Sequence, residues 1–71
     1  MITLEQIRQR LQEALRQSTI SQTELAKRLG ISQSTIAHYL RGDAMPALDT
    51  FANMCQILDV DSSYILCISE N

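Results

Sequence analysis

Apolar residues recur every three or four positions through most of the chain, which is the period of a half-buried α-helix. The first apolar stripe predicts a helix over about residues 4–17. Thr3 and Gln6 have the spacing of a capping box and are expected to fix the start of this helix. The residues of the stripe are Leu4, Ile7, Leu11, Ala14 and Leu15.

Two shorter stripes follow, with a short break between them. The first predicts a helix over about residues 22–29, opened by a second capping box at Ser21 and closed by Gly30, which can turn left-handed without a Cβ clash. The second predicts a helix over about residues 33–41, with Ser32 as its N-cap. Each of these helices has about three turns at most.

Two further helices are predicted in the last third of the chain. One spans about residues 47–58, and Asp59 is expected to tolerate the left-handed turn that ends it. Asp61 is expected to cap a short final helix. The apolar positions of these two helices are Leu48, Phe51, Ala52, Cys55, Leu58, Tyr64, Ile65 and Leu66. Since no strand pattern occurs, the sequence predicts an all-α fold of five helices in a single domain over residues 1–71.

Composition narrows the class of protein. The chain has 71 residues, of which 45 % are hydrophobic, with only two glycines and one proline, and this is typical of one small globular domain. No apolar run approaches the roughly 18 residues of a membrane span, and the N-terminus lacks a signal-peptide pattern. We therefore expect a cytoplasmic protein with no membrane partner.

The net charge of −2 at first argues against a nucleic-acid partner, because phosphates attract Lys and Arg. The distribution of charge changes this picture. All six basic residues and three acidic ones lie in residues 1–42, which carry +3, whereas residues 43–71 carry −5. The acidic total is the sum of two opposed halves.

Residue types that carry out catalysis are sparse. Cys55 and Cys67 have apolar neighbours and are expected to be core or interface residues, although a disulfide between them stays open. A zinc site needs about four ligands, and His38 with two distant cysteines supplies no recognisable spacing. A nucleophilic pair of Cys55 and His38 also stays open, but so short a chain leaves little room for a substrate pocket. We expect no enzyme activity, cofactor, metal or small-molecule ligand.

The turn formed by Gly30-Ile31-Ser32 carries the functional signal. So tight a turn forces the flanking helices to cross steeply, which predicts a helix-turn-helix over about residues 22–41. The outward side of the second helix is polar near its N-terminus. Such a helix suits the DNA major groove, which is about 12 Å wide.

The run SQTELAKRLGISQSTI over residues 21–36 resembles the helix-turn-helix domains of the phage lambda-type repressor and Cro group, the Xre family. The resemblance continues through Tyr39-Leu40-Arg41-Gly42 and Pro46, then residues 48–60, and ends in residues 61–66. The resemblance implies a five-helix domain that binds double-stranded operator DNA as a two-fold dimer. It also implies that Gln22 helps to clamp a phosphate and that Gln33 reads a base edge.

Residue chemistry agrees with such an interface. Gln33 can pair with N6 and N7 of adenine, Ser34 can donate or accept, and His38 can reach a guanine N7 or a phosphate. An ordinary solvated helix face would carry similar residues, so it is the turn spacing that favours DNA contact. The candidate DNA-contacting residues are Gln22, Ser32, Gln33, Ser34, Thr35, His38 and Arg41.

Three places depart from the pattern of the family that the chain resembles. The loop after the third helix is often basic there, but here it contains Asp43, which adds a charge that repels phosphate. Ser18-Thr19 and Asp59 stand where that family usually has glycine. The last two changes concern turns rather than the reading face.

The tail Tyr64-Ile65-Leu66-Cys67-Ile68 is apolar throughout. One face of a helix can bury only part of such a run, so the remainder should be exposed. We expect Tyr64, Ile65 and Ile68 to form a homodimer contact.

The sequence thus predicts a sequence-specific DNA-binding transcriptional regulator, expected to be a repressor that binds a palindromic operator as a dimer through its third helix. The alternative is a helix-turn-helix protein-interaction or antitoxin module with weak DNA binding. The acidic C-terminal half and Asp43 favour this alternative.

Overall fold

Five helices make up the regular structure of the chain in the computed structural model, which describes residues 1–69. They are α1 (Leu4–Gln17), α2 (Gln22–Leu29), α3 (Gln33–Arg41), α4 (Leu48–Leu58) and α5 (Ser62–Ile65). No strand occurs in this part of the chain. The predicted all-α fold is therefore confirmed, and each helix lies within one residue of its predicted start.

Side-chain caps fix where the first three helices begin. Thr3 accepts from the Gln6 amide at 3.2 Å while the Gln6 side chain accepts from the Thr3 amide at 2.9 Å, so the first capping box is complete. At α2 only half of the predicted box forms. Ser21 accepts from the Glu24 amide, but the Glu24 carboxylate accepts from Arg28 instead. An i,i+4 ion pair on an exposed face has displaced the second bond of the box.

The core is one apolar cluster to which every helix contributes. Its buried members are Leu11, Leu25, Ala26, Ile36, Tyr39, Phe51, Met54, Cys55 and Ile65. Three positions predicted to be apolar contacts are instead exposed: Leu4 at 56 %, Leu48 at 85 %, and Ala52. Leu4 and Leu48 are the first residues of their helices, so they extend beyond the neighbours that bury the next turn. Met54, which was not predicted, is fully buried on the face that α4 turns inward.

Helices α1 and α4 hold the α2–α3 pair in place from two sides. Helix α2 packs on α3 and α4, and α1 packs on α3 and α5. The Gln12 side chain on α1 donates to the carbonyl of Leu40 on α3 at 2.9 Å. Arg10 donates to the carbonyl of Tyr64 at 2.6 Å and lies over the Tyr64 ring, 4.4 Å from its centre. These bonds orient α1, which the sequence pattern left undetermined.

One of the three residues predicted at the dimer contact, Ile65, does not lie at the surface. Ile65 is 1 % exposed and fills the core of the single chain, so it offers no surface to a second copy. Tyr64 and Ile68 remain exposed, at 42 % and 65 %. Both cysteines are free thiols, which closes the question of a Cys55–Cys67 disulfide. Burial raises the pKa of the Cys55 thiol, with a further contribution from the charge of Asp61, so this thiol is not an activated nucleophile.

Candidate nucleic-acid interface

The three-residue turn Gly30-Ile31-Ser32 sets the angle at which α3 leaves α2. Gly30 is left-handed, with φ 71° and ψ 29°, and its N–H donates to carbonyls of the last turn of α2. The next amide, that of Ile31, donates to the carbonyl of Ala26 at 3.0 Å. Ala26 and Ile36 are buried where the two helices meet. The tight helix-turn-helix predicted from the sequence is therefore present, and it is rigidly bonded.

The first turn of α3 presents one side-chain amide, that of Gln33, and a cluster of hydroxyl groups. Ser32 caps the helix by accepting from the Thr35 amide at 3.2 Å, and its Oγ lies 2.7 Å from the Thr35 hydroxyl and 3.0 Å from that of Ser34. The Gln33 side chain is exposed and makes no hydrogen bond with any residue that the structure describes. The donors and acceptor of the Gln33 side chain are thus available to an outside partner, whereas Ser32 and Thr35 hydrogen-bond to each other at the N-cap.

The far end of α3 carries a cluster of three charged or polar side chains. Nδ1 of His38 lies 2.8 Å from Oδ1 of Asp43, and Nε of Arg41 lies 3.3 Å from Oδ2 of the same carboxylate. The Arg41 guanidinium also approaches Nδ1 of His38, at 2.9 Å. A protonated Nδ1 donates to Asp43, whereas an unprotonated one accepts from Arg41. In both arrangements Nδ1 is occupied, which leaves Nε2 of His38 for an outside partner.

The neighbouring His38 and Arg41 side chains change the pKa of Asp43. The hydrogen bond from His38 has the largest effect and lowers the pKa of the Asp43 carboxyl; desolvation opposes it, and the hydrogen bond from Arg41 lowers the pKa further. The carboxylate is therefore ionised at neutral pH. It lies against the two groups that the sequence assigned to DNA contact at this end of α3.

Gln22 lies at the other edge of the candidate interface. It is the first residue of α2, follows the N-cap Ser21, and is exposed. Its side chain makes no hydrogen bond within residues 1–69. Amides in the first turn of a helix attract anions, so this position can hold a phosphate.

Two residues of α1 also lie at this end of α3, and the sequence did not predict their position there. The Arg8 side chain lies against Gly42, where an added Cβ would come within 3.0 Å of its Cδ, and Gln12 lies on the same glycine. Arg8 thus lies beside the end of α3, with Nη1 2.6 Å from the Glu5 carboxylate. The sequence gives only a weak indication of this position of Arg8, because the position depends on the orientation of α1.

Most of the positive charge in this half of the chain is already engaged. Within the part of the chain that the structure describes, four of the six basic side chains contact an internal acceptor. They are Arg8, Arg10, Arg28 and Arg41. Fewer cationic side chains are therefore free to meet phosphate than the count of six basic residues suggests.

Among residues 1–69 there is no group of three His, Cys, Asp or Glu side chains that could hold a metal ion. Across the same residues, no helix combines the length and the apolar character that crossing a membrane requires.

Comparison with known proteins fits this geometry. A family model described as helix-turn-helix matches residues 11–65, from the middle of α1 to the end of α5. The chain belongs to the helix-turn-helix family of the lambda repressor and Xre type. This confirms the resemblance drawn from residues 21–66. The protein is accordingly a DNA-binding helix-turn-helix regulator, and its family is one of regulators rather than of enzymes. No curated protein and no solved structure matches the chain.

Proposed function

We propose that this helix-turn-helix protein is a sequence-specific transcriptional repressor that binds a palindromic operator as a homodimer. The observation that carries the proposal is the exposed, unpartnered amide of Gln33 at the start of a helix fixed by the Gly30 turn. A helix held in this way can enter the major groove and read base edges. We further infer that residues 1–71 act as a single DNA-binding domain in the cytoplasm of a bacterium or of a phage-infected cell.

Each candidate residue has a role that its surroundings support. Gln33 reads a base edge, with adenine as the preferred partner, and Ser34 assists it. Gln22 and the first amides of α2 hold a phosphate. Ser32 and Thr35 contribute through the cap, which presents hydroxyls and amides to the DNA backbone. His38 and Arg41 contact the backbone at the far end of α3.

Dimerisation is assigned to the C-terminal end of the protein. Tyr64 and Ile68 are exposed there, and the neighbouring Cys67 lines a shallow groove with Met1 and Ile2, which are exposed as well. Exposed apolar residues that cluster in this way favour association with another protein surface. A symmetric dimer would place two α3 helices about 34 Å apart, one turn of DNA.

The decisive experiment selects bound sites from a random duplex library for the protein and for Gln33→Ala. The variant should lose preference at one position of each half-site, at a cost of about 1–3 kcal/mol in discrimination. The control is Gln56→Ala, which removes an exposed amide from α4. If Gln33→Ala selects the same operator as Gln56→Ala, α3 does not read the sequence.

A second candidate function is a helix-turn-helix protein-interaction or antitoxin module with weak DNA binding. The internal pairing of Arg8, Arg28 and Arg41 favours it, because these charges are less available to phosphate. Titration with random duplex at low salt separates the two candidates. Absence of binding at micromolar protein would favour the interaction module.

A further inference from the structure

An acidic residue, Asp43, follows α3 and is held in a fixed position beside His38 and Arg41 of that helix. Gly42 turns left-handed with φ 83°, and its N–H donates to the carbonyl of His38 at 3.0 Å. The amide of Asp43 donates to the same carbonyl at 3.2 Å. Because the backbone is bonded in this way, the Asp43 carboxylate returns to α3 rather than extending into the loop.

The contacts of that carboxylate are the contacts a DNA phosphate would make. One oxygen lies 2.8 Å from Nδ1 of His38 and the other lies 3.3 Å from Nε of Arg41. Roughly half of each side chain is exposed, at 49 %, 57 % and 52 % for His38, Arg41 and Asp43, so DNA can reach all three. A carboxylate and a phosphate both offer two oxygens to a guanidinium.

We propose that Asp43 is an internal competitor for DNA phosphate, which holds Arg41 and His38 in the free protein and must release them when the protein binds DNA. The inference rests on the proposed function, since it concerns the same interface. Competition by Asp43 would weaken the part of DNA binding that depends on phosphate contacts alone. The protein then depends more heavily on the base contacts of the first turn of α3.

The experiment compares Asp43→Asn with the protein itself on random duplex over a series of salt concentrations. The control is Asp59→Asn, which removes the same charge at the end of α4 and places asparagine in a left-handed conformation that it tolerates. Asp43→Asn should bind about two- to tenfold more tightly, because the Asp43 carboxylate no longer engages the exposed Arg41 and His38 side chains. Its log–log salt slope should steepen by up to about 0.9 per subunit. Circular dichroism of each variant checks that the helices are retained.

Repeating the comparison in a His38→Gln/Arg41→Gln background separates competition from simple repulsion. If Asp43 acts by competing for these two groups, the gain from Asp43→Asn should disappear in that background. A gain that persists there, or an equal gain in Asp59→Asn, would overturn the proposal. If the unmodified protein binds DNA but Asp43→Asn behaves as Asp59→Asn does, this inference fails alone. If no variant binds any duplex, the proposed function fails and this inference with it.

Discussion

Gln12 on α1 donates a hydrogen bond from Nε2 to the carbonyl oxygen of Leu40 in the last turn of α3, at 2.9 Å. The last carbonyls of a helix have no partner within it. In α3 the carbonyls of His38 and Tyr39 accept from the Gly42 amide, and that of Leu40 accepts from Gln12. A side chain of α1 thus completes the end of α3 and ties this helix to the rest of the protein.

Gln12→Ala should therefore lower the free energy of unfolding by about 1 kcal/mol, because a half-buried carbonyl loses its partner. Urea denaturation measures the change. Gln9→Ala, an exposed position of the same helix, is the control and should be close to neutral. Equal effects of the two substitutions would mean that the Gln12 bond contributes nothing to stability.

The two glycines of the α3 region should respond differently to alanine. Both are left-handed, so either substitution costs about 1 kcal/mol in backbone strain. An added Cβ at Gly30 meets no atom within 4 Å, whereas at Gly42 it would come within 2.8 Å of Gln12 Nε2. Moving that atom breaks its bond to Leu40, so Gly42→Ala should be the more destabilising of the two in urea denaturation. The expectation fails if Gly30→Ala is equally or more destabilising.

Local features of the fold were predictable from the sequence because short-range rules decide them. Caps at Thr3, Ser21 and Ser32, and the left-handed Gly30, depend on neighbours within four residues. These rules place the helix ends and the turn. The residues around this turn, from 21 to 66, also indicated the family, which the match over residues 11–65 confirms.

Features that depend on distant parts of the chain were not predictable. The inward face of α4 is set by what lies opposite it, so Met54 became core while Leu48 stayed exposed. Ile65 was expected at a dimer surface, but it is buried in the core of the single chain, where α5 packs on α1. The sequence also did not predict the pairing of Asp43 with His38 and Arg41, because the charge pattern gives the sign of the Asp43 charge but not the direction of its side chain.

Asp59 offers a substitution that should stabilise the protein. It ends α4 at φ 55° and ψ 47°, a left-handed conformation that strains a residue with a Cβ. Asp59→Gly should raise the free energy of unfolding by about 0.5–1 kcal/mol, the strain relieved being partly offset by greater freedom of the unfolded chain. Asp59→Ala keeps a Cβ and is the matched control. A gain of stability in the alanine variant as large as that in the glycine variant would show that loss of the charge, not the backbone, is responsible.

The proposed dimer can be tested at Ile68, which is 65 % exposed. If it lies in the two-fold contact, Ile68→Glu should weaken self-association by at least about tenfold, because a charge would be buried without a partner. Sedimentation equilibrium over a range of concentrations measures this. The control is Leu48→Glu, at an exposed leucine that starts α4. A monomer mass for the unmodified protein up to high micromolar concentration would reject the contact.

Acid should remove the stabilising effect of Asp43. Its pKa lies below the ordinary value of 3.8, mainly because His38 donates to the carboxylate and secondarily because Arg41 does. A carboxyl whose pKa is lower in the folded state stabilises the fold above its ordinary pKa, and this stabilisation is lost as the pH falls through the lowered value. Asp43→Asn should therefore be less stable than the unmodified protein at about pH 7, and the difference should shrink at about pH 2, below the ordinary pKa of the carboxyl. Urea denaturation at both pH values measures the difference, and Asp59→Asn shows the effect of removing a charge elsewhere. A difference between Asp43→Asn and the unmodified protein that is unchanged at the lower pH would mean that the ionised carboxylate is not what His38 and Arg41 hold.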